Sequence, residues 1–372
     1  MKERLWNTFK ELADIYSPSF GERRFCDVLK EKFAALDIEL IEDGAGKEIG
    51  GNSGNLYGFI PGKLNEAPIL FSAHMDTVAP AKGKKAILHE SGNITSEGST
   101  ILGADDVAGI TVIIEAVNRL KEQNIAHRPI ELLFTVAEER YGAGSAAFDY
   151  SLIKAKEAYV LDLSGPIGDA ANAAPTIFSF EINVYGKAAH AGFAPQDGIH
   201  AIEVASNAIA RLPQGKLPSG LTFNIGQISG GKAGNIVPDL CTVKGEIRSL
   251  DHKAVISHWD KVVEVFIEEA KKKGAEVEAN NKIEIRAYET PLHHRVVRRF
   301  IRACENLNLP CNIHSTFGGS DQNNFSLHGI TGLVIACGMN EVHSLREYSN
   351  INELEKCVKL VMELIKGGEV KE

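Results

Sequence analysis

The sequence predicts an α/β protein in which a mostly parallel mixed sheet is flanked by helices and carries an inserted ferredoxin-like α+β domain. Three observations support this fold class. Short apolar segments typical of buried strands alternate with helical patterns up to residue 162 and again after residue 290, as in a mostly parallel sheet. Between residues 175 and 290 the strands instead alternate apolar and polar residues, which indicates strands with one solvated face. The chain of 372 residues is also too long for one ordinary hydrophobic core.

The first part of the chain predicts helices and buried strands in turn. An amphipathic helix opens the sequence, and a capping box formed by Ser19 with Glu22 begins a second helix that ends near Leu36. Glycine and asparagine in residues 43–55 predict a loop. The remaining predictions are strands at residues 38–41, 56–60, 68–73, 130–136 and 158–162 and a helix at residues 107–120.

The middle of the chain predicts a β-α-β-β-α-β order, which is the ferredoxin-like arrangement. Its strands are predicted at residues 177–184, 222–227, 240–248 and 283–288, and its helices at residues 200–212 and 253–273. The last part returns to the first pattern, with helices at residues 292–307 and 351–365 around a strand at residues 333–337. We therefore expect one domain built from residues 1–174 and 291–372 and a second domain built from residues 175–290.

Composition narrows the classes of function. The formal net charge of −9 and the lack of a long basic cluster argue against a nucleic acid or an anionic membrane as partner. No apolar run approaches the roughly 20 residues of a membrane span, and the first helix does not resemble a signal peptide. Six scattered cysteines without a C-x-x-C pair predict reduced thiols in a cytoplasmic protein. We expect small molecules or a second copy of the chain as partners.

The stretch Phe71-Ser-Ala-His-Met-Asp-Thr-Val78 places His74 and Asp76 at the end of an apolar strand. Residues two apart on an extended segment point to the same side, and the carboxyl ends of strands in open α/β sheets are where ligands usually bind. A His-x-Asp pair is compatible with metal binding and with a hydrogen-bonded structural unit.

Acidic residues follow further apolar segments in the same way. Asp105 and Asp106 occupy a loop-to-helix junction, where aspartate also caps helices. Glu138 and Glu139 follow a strand directly, and their structural alternative is a solvated loop. Both pairs would lie at the same edge of the sheet as His74.

Two more residues complete the pattern. Asp162 ends a strand and could instead form a turn, and His343 follows a late strand and could be a structural histidine. Two histidines and three carboxylates at successive strand ends form a ligand set for two divalent cations that share one carboxylate. Oxygen and imidazole ligands without thiolate suit zinc, cobalt or manganese. A Glu-Glu pair can supply one ligand and one general base.

Four motifs together resemble the co-catalytic zinc exopeptidases of the peptidase T, carboxypeptidase G and aminoacylase superfamily, in particular the peptidase T-like, tripeptidase branch. They are Ser72-Ala-His-Met-Asp-Thr-Val78, Leu102-Gly-Ala-Asp-Asp-Val-Ala-Gly-Ile110, Ala137-Glu-Glu-Arg-Tyr-Gly-Ala-Gly-Ser145 and Glu341-Val-His-Ser344. The resemblance implies the zinc-exopeptidase (phosphorylase/hydrolase-like) fold, with residues 1–174 and 291–372 as the catalytic di-metal domain.

The resemblance also assigns roles to the site residues. It makes His74, Asp105 and Asp162 ligands of one metal, with Asp105 bridging to a second metal that Glu139 and His343 hold. Two further roles follow: Asp76 would hydrogen-bond the far nitrogen of the His74 ring and fix it, and Glu138 would be the general base. A cis peptide bond between Asp105 and Asp106 is implied as well.

The inserted domain, residues 175–290, resembles the lid and dimerisation module of the same family. His190 then becomes a candidate to stabilise the oxyanion in the partner subunit's site, although it could be a simple turn histidine. Asn235 and Arg248 match substrate-contacting positions, and Gly319 and Ser320 belong to a glycine-rich segment that would line the substrate pocket. Asn235 could instead be a turn residue, Arg248 a strand-edge charge, and the glycines of the segment simple turn formers.

The implied activity is hydrolysis of di- or tripeptides from the amino end by a metal-activated water, with Glu138 as the base. Two divalent cations, with zinc expected and cobalt or manganese as alternatives, would be the cofactors, and a homodimer through the lid is expected. One alternative is an amidohydrolase or deacylase acting on N-acyl amino acids. An alternative of another class is a metal-binding scaffold without catalysis, against which the non-ligand base Glu138 argues.

Overall fold

The computed structural model describes residues 1–366 of the protein. The chain forms two compact units. The first contains residues 1–173, residues 289–316 and the residues from Ser320 onward, and the second contains Ala174–Tyr288 with Phe317–Gly319. Within residues 1–366, no helix combines the length and the apolar character needed to cross a membrane.

The helices and strands are numbered in chain order. The helices are α1 (Lys2–Ala13), α2 (Arg23–Ala34), α3 (Ala45–Ile49), α4 (Ala104–Glu122), α5 (Ala143–Ala146), α6 (Ala201–Ala210), α7 (His252–Lys273), α8 (Arg295–Asn306), α9 (Asp321–Leu327) and α10 (Ile351–Ile365). The strands are β1 (Leu40–Glu42), β2 (Leu56–Ile60), β3 (Ile69–His74), β4 (Ile87–Leu88), β5 (Asn93–Thr95), β6 (Ile130–Thr135), β7 (Glu157–Ser164), β8 (Asp169–Ala174), β9 (Thr176–Tyr185), β10 (Gly215–Lys216), β11 (Thr222–Gly230), β12 (Leu240–Ser249), β13 (Glu276–Ile285), β14 (Tyr288–Glu289), β15 (Asn312–Ser315), β16 (Thr331–Asn340) and β17 (Tyr348–Asn350).

The large sheet has the strand order β1-β2-β6-β3-β7-β16-β17-β5-β4. Its four central strands, β6, β3, β7 and β16, are mutually parallel, and the flanking strands are antiparallel. All six residues of β3 and of β6 are buried, because helices and loops cover both faces of the sheet. Phe71 packs into the cluster under α1, α4 and α10, and its neighbour Leu70 packs into the cluster on the opposite face with Phe325. This confirms the predicted α/β class.

The second unit has the strand order β10-β11-β12-β9-β13, with every neighbouring pair antiparallel. Helices α6 and α7 pack on one face through residues such as Val204, Trp259 and Phe266. The chain order of its long elements is β-α-β-β-α-β, so the predicted ferredoxin-like arrangement is confirmed; the short strand β10 is an addition.

Three local predictions were wrong. The strand predicted at residues 283–288 is β13, which begins at Glu276 and ends at Ile285. Ser19 does not form a capping box, because its hydroxyl donates to Asp76 Oδ2 at 2.7 Å and Glu22 itself is the N-cap of α2. The segment predicted as a loop between residues 43 and 55 contains the short helix α3, which ends at Gly50 with a positive φ of 79°. In the case of Ser19 a tertiary contact outcompetes a local hydrogen bond, which neighbouring residues alone could not indicate.

Candidate metal centre

The centre lies where the parallel strands of the large sheet end. His74 is the last residue of β3 and pairs in register with Thr135, the last residue of β6. Next to β3 on its other side, β7 carries Asp162 near its carboxyl end. His74 is 2% exposed, because the strand that bears it is buried on both faces. The side chains that follow these strands therefore meet at one edge of the sheet, as the sequence predicted.

Asp105 lies between the two histidines and contacts each with a different carboxylate oxygen. Its Oδ1 is 2.9 Å from His74 Nε2, and its Oδ2 is 3.1 Å from His343 Nε2. A carboxylate that presents one oxygen to each of two imidazoles has the geometry needed to be shared between two cations.

The other two predicted ligands lie one on each side of Asp105. Asp162 Oδ1 is 3.8 Å from His74 Nε2, and Glu139 Oε1 is 2.8 Å from His343 Nε2. Among the described residues, two groups could each hold a metal ion with ligand atoms within 4.8 Å of one another: His74 with Glu138 and Asp162, and His74 with Asp105 and Glu139. The five predicted ligands and the predicted base thus converge on one site.

Asp105 and Asp106 begin α4 and have different roles there. The peptide bond between them is cis, as expected from the resemblance. Asp106 accepts hydrogen bonds from the backbone N–H of His74 at 3.1 Å and of Gly109 at 3.0 Å. The helix-capping alternative thus describes Asp106, which is fully buried, while Asp105 faces the histidines.

Asp76 contacts His74 differently from the expectation. The backbone carbonyl of Asp76 lies 2.9 Å from His74 Nδ1, while its carboxylate Oδ1 lies 3.4 Å away. The carboxylate instead accepts from the backbone N–H groups of Glu138 at 2.9 Å and Glu139 at 3.3 Å. Asp76 therefore orients the His74 ring through its backbone carbonyl. Through its side chain it holds the turn that begins with Glu138 and Glu139, called here the Glu-Glu turn.

Burial and neighbouring negative charges raise the pKa values of two carboxyl groups at the site. Burial raises the pKa of Glu138 well above its usual value, and the charges of Asp321, Glu139 and Asp76 add to this. Burial also raises the pKa of Asp162, helped by Glu138 and Asp105. Carboxylates held together in this way repel one another when ionised.

The neighbouring carboxylates favour the protonated, positively charged form of both histidines. Burial alone would lower the pKa of His74, but the hydrogen bond to Asp105, the nearby carboxylate of Asp76 and the charge of Asp162 raise it well above its usual value. Hydrogen bonds to Asp105 and Glu139 raise the pKa of His343 to about 10. A site with this surplus of negative charge attracts cations, so the donor set fits divalent metal ions.

Three buried carboxylates around the centre were missed by sequence reasoning. Asp321, at the start of α9, accepts from Thr135 Oγ1 and Ser145 Oγ, both at 2.5 Å. Glu22 accepts from the backbone N–H of Ala137 at 3.0 Å, and Glu347 accepts from the backbone of the segment that carries Asp105. None of them ends an apolar strand, so the pattern that identified the ligands could not indicate them.

The remaining predicted residues, apart from Ser320, belong to the second unit. His190 is exposed, and its Nδ1 accepts from the backbone N–H of Gly192 at 3.1 Å and Phe193 at 3.3 Å. Asn235 is exposed, and its backbone carbonyl accepts a hydrogen bond from the backbone N–H of Ala191 at 3.0 Å. The segment that carries Asn235 therefore lies next to the segment that carries His190.

Arg248 and the glycine-rich segment have defined local contacts. The guanidinium of Arg248 binds the carboxylate of Glu246 at 2.8 and 3.0 Å and donates to the carbonyl of Phe317 at 2.9 Å. A Cβ on Gly319 would lie 2.0 Å from Ile285 Cδ1, so a larger residue there would displace the Ile285 side chain. Ser320 is 5% exposed and is the N-cap of α9.

Comparison with known proteins identifies relatives along nearly the whole chain. Residues 172–274 match the peptidase dimerisation domain, residues 55–201 match peptidase family M28, and residues 251–360 match the M42 glutamyl aminopeptidases. The chain is 36% identical to the protein YqjE of Bacillus subtilis and 26% identical to peptidase T of Listeria welshimeri. These alignments cover 98% and 100% of both chains, respectively.

Solved structures give the same result. The aminopeptidase PepT of Bacillus cereus has a TM-score of 0.92 at 38% identity, and a tripeptidase of Staphylococcus aureus has a TM-score of 0.95 at 33% identity. Each comparison covers 98% of both chains. The fold, the convergent ligand set and these full-length similarities agree, and the chain belongs to the peptidase T-like branch of the M20 peptidase family.

Proposed function

We propose that this protein is a metal-dependent exopeptidase that hydrolyses di- or tripeptides from the amino end. The observation that carries this proposal is the position of Asp105, which offers one carboxylate oxygen to His74 and the other to His343. A purely structural metal site has its ligands closed around one ion and needs no additional base. Here an additional carboxylate, Glu138, lies within 4.8 Å of the ligand atoms of His74 and Asp162.

The proposed ligands form two overlapping sets. His74, Asp105 and Asp162 would hold one divalent cation, and Asp105, Glu139 and His343 would hold the second. The solved structure of a dinuclear metal-binding M20 peptidase from Bacillus subtilis shares the fold, with a TM-score of 0.76 at 18% identity. Zinc is the expected ion, with cobalt or manganese as alternatives, because the donors are imidazole and carboxylate without thiolate.

Glu138 is proposed to move the protons of the reaction. The bound cations would supply Lewis-acid polarisation of the scissile carbonyl and would acidify a water molecule. Glu138 accepts the proton of the attacking water and then donates it to the leaving amine. Burial raises the pKa of its carboxyl group, and a neighbouring cation lowers it. Asp76 fixes the backbone of this turn, so the carboxylate needs little reorganisation.

His190 is proposed to stabilise the oxyanion in the site of the partner subunit. Because its Nδ1 accepts two backbone hydrogen bonds, the neutral ring carries its hydrogen on Nε2. That nitrogen is then a hydrogen-bond donor on an exposed segment. Asn235, Arg248, Gly319 and Ser320 are proposed to contact the substrate or to shape its pocket.

The assembly and the compartment are part of the same proposal. The match of residues 172–274 to a peptidase dimerisation domain supports a homodimer formed through the second unit. All six cysteines are free thiols, five of them buried, which supports a reducing compartment such as the cytoplasm.

A substrate panel on metal-reconstituted protein tests the proposal. The apo protein would be loaded with zinc, cobalt or manganese and offered free dipeptides, free tripeptides and N-acetylated amino acids. We expect two ions per chain and hydrolysis of free peptides. Preferential hydrolysis of the N-acetylated compounds would instead favour a deacylase, and two bound ions without any hydrolysis would favour a metal-binding scaffold.

A further inference from the structure

We propose that Glu347 is a positioning residue that holds the bridging carboxylate Asp105 in place, with Lys84 as its buried counter-charge. This inference rests on the proposed function, because it concerns the ligand that the two cations would share. It identifies a contact between two distant parts of the chain on which the affinity for the second cation depends.

Glu347 binds the backbone of the Asp105 segment with both carboxylate oxygens. Its Oε2 accepts from the N–H of Gly103 at 2.7 Å, and its Oε1 accepts from the N–H of Asp105 at 3.0 Å. The side chain is 1% exposed. Since both oxygens are engaged and buried, the carboxylate fixes the orientation of the peptide planes from which Asp105 extends.

The ammonium group of Lys84 lies next to Gly103. Its side chain is 1% exposed, and its Nζ has no hydrogen-bond partner among the described residues. Burial lowers the pKa of Lys84 to about 8, although the charges of Glu347 and Asp14 oppose this shift. A buried ammonium group persists where a nearby carboxylate compensates its charge. The charge of Glu347 opposes the shift of Lys84 more strongly than that of Asp14 does.

Gly103 allows this close arrangement. It has a φ of +75°, and a Cβ added there would lie 2.3 Å from Lys84 Nζ. Glycine thus both adopts the left-handed conformation that begins α4 and leaves space for the ammonium group. The cation, the glycine and the carboxylate form one contiguous buried unit behind Asp105.

The loop that carries Glu347 also carries His343. His343 Nε2 contacts Asp105 Oδ2 at 3.1 Å, while Glu347, four residues later, holds the N–H of the same aspartate. Both the side chain and the backbone of Asp105 are therefore held by this one loop. His74 and Asp162, in contrast, are held by strands of the central sheet. Loss of the Glu347 contact should weaken the site of the second cation more than the site of the first.

The test uses cobalt as the probe, because the visible absorption of Co²⁺ reports its coordination. Glu347→Gln keeps the size of the side chain but places an amide NH2 opposite a backbone N–H. The matched control is Glu131→Gln, since Glu131 is also fully buried and accepts from the backbone N–H of Lys154 and Ala155. Cobalt affinity would be measured by chelator competition and stability by urea unfolding of the apo protein.

We expect Glu347→Gln to lower the affinity for one of the two cobalt ions by about 10- to 100-fold, and to change the absorption of that ion. The control should lose comparable stability with unchanged cobalt affinity. Unchanged affinity for both ions in Glu347→Gln, or an equal loss in the control, would overturn the proposal. If the wild-type protein itself fails to bind two ions, the proposed function fails instead.

Lys84→Met is a second variant that tests the same proposal. It replaces Glu347→Gln if Glu347→Gln does not fold. Removing the ammonium leaves Glu347 without its counter-charge, so affinity for the same cobalt ion should fall. The double variant should lose about as much affinity as the more damaging of the two single variants, because the two residues act as a pair. A loss of binding free energy equal to the sum of the losses in the two single variants would show that Lys84 acts independently. That result would contradict the proposal that Lys84 is the counter-charge of Glu347.

Discussion

Asp76 is a single residue of this site that contacts three separate parts of the chain. Its carboxylate accepts from the N–H groups of Glu138 and Glu139 and from the hydroxyl of Ser19, and its backbone carbonyl orients His74. One buried side chain thus connects the chain before α2, the end of β3 and the Glu-Glu turn. Substituting Asp76 is expected to displace the proposed base, because the carboxylate of Asp76 holds the backbone of Glu138 and Glu139.

Glu138→Gln tests the proposed base at the scale of one residue. Glutamine keeps the shape of the side chain but cannot accept the proton, so kcat should fall by about 10²- to 10⁴-fold. Metal content should remain two ions per chain, because Glu138 is not a proposed ligand. Steady-state kinetics and elemental analysis check both statements, with Glu353→Gln on α10 as a control of unchanged kcat. Substantial residual activity in Glu138→Gln would assign the base to another group.

Glu22→Gln tests the electrostatics of the same turn. Burial and the charge of Asp76 raise the pKa of Glu22 to about 7. A carboxyl group whose folded pKa lies above its unfolded value binds more protons when folded, so the wild-type protein loses stability from this group as pH rises from about 4.5 to about 7. Glutamine can keep the hydrogen bonds that Oε1 accepts from Phe20 and Ala137 without the charge.

The variant should therefore gain stability relative to wild type as pH rises, by about 2 kcal/mol at pH 8 compared with pH 4.5. Urea unfolding of both proteins at several pH values, with a chelator present, measures this difference. A stability difference that is constant between pH 4.5 and pH 8 would show that Glu22 titrates normally.

At the scale of elements, the turn between β6 and α5 positions the proposed base. It is a 3₁₀ turn over Glu138–Arg140, flanked by Ala137 and Tyr141 with positive φ values of 49° and 60°. Non-glycine residues rarely adopt this conformation, so the contacts around the turn determine it. Glu22 and Asn55 accept from the backbone N–H groups at its start.

Gly144→Ala tests the packing beneath this turn. An added Cβ would lie 2.0 Å from the carbonyl oxygen of Val136 and 2.7 Å from Asn55 Oδ1. The turn must move to relieve the contact, so stability should fall by about 1–3 kcal/mol and kcat should fall as well. Gly44→Ala is the matched control, because a Cβ there meets nothing within 4 Å. Urea unfolding and kinetics would contradict the prediction if both variants behaved alike.

At the scale of the whole molecule, the chain forms two compact units with their own cores. All the proposed ligands belong to the first unit, while His190 belongs to the second, and residues 172–274 match a dimerisation domain. If His190 serves the partner's site, each active site requires residues from two chains. Dimer formation would then be a condition for catalysis.

Mixed dimers test this arrangement. Dimers with Glu138→Ala in both chains, and dimers with His190→Ala in both chains, should each be inactive. Co-expression of the two variants should restore about a quarter of the wild-type activity, because half of randomly formed dimers are mixed and each of these has one complete site. Sedimentation of the purified protein would establish the dimer. Mixed dimers that remain inactive would contradict a site shared between chains.

The sequence by itself determined the fold class and the residues that converge at the centre. Period-two and helical patterns identified β2 and α10 with their observed bounds, because hydrophobic periodicity directly reflects burial. Carboxylates and histidines that directly follow apolar strands were identifiable for the same reason, since parallel strands end at a common edge. His74 and Asp162 lie at strand ends and follow this rule, whereas Asp105 lies at a loop-to-helix junction and was assigned through the resemblance.

Only the tertiary structure decided how those residues are oriented. Glu347 binds the backbone of Asp105 across 242 positions of the chain, and Asp321 binds Thr135 across 186. Ser19 donates to Asp76 rather than capping α2. Such contacts join buried polar groups that lie far apart in the sequence, and each group satisfies its hydrogen bonds with whichever partner folding brings near. Local pattern carries no information about that partner.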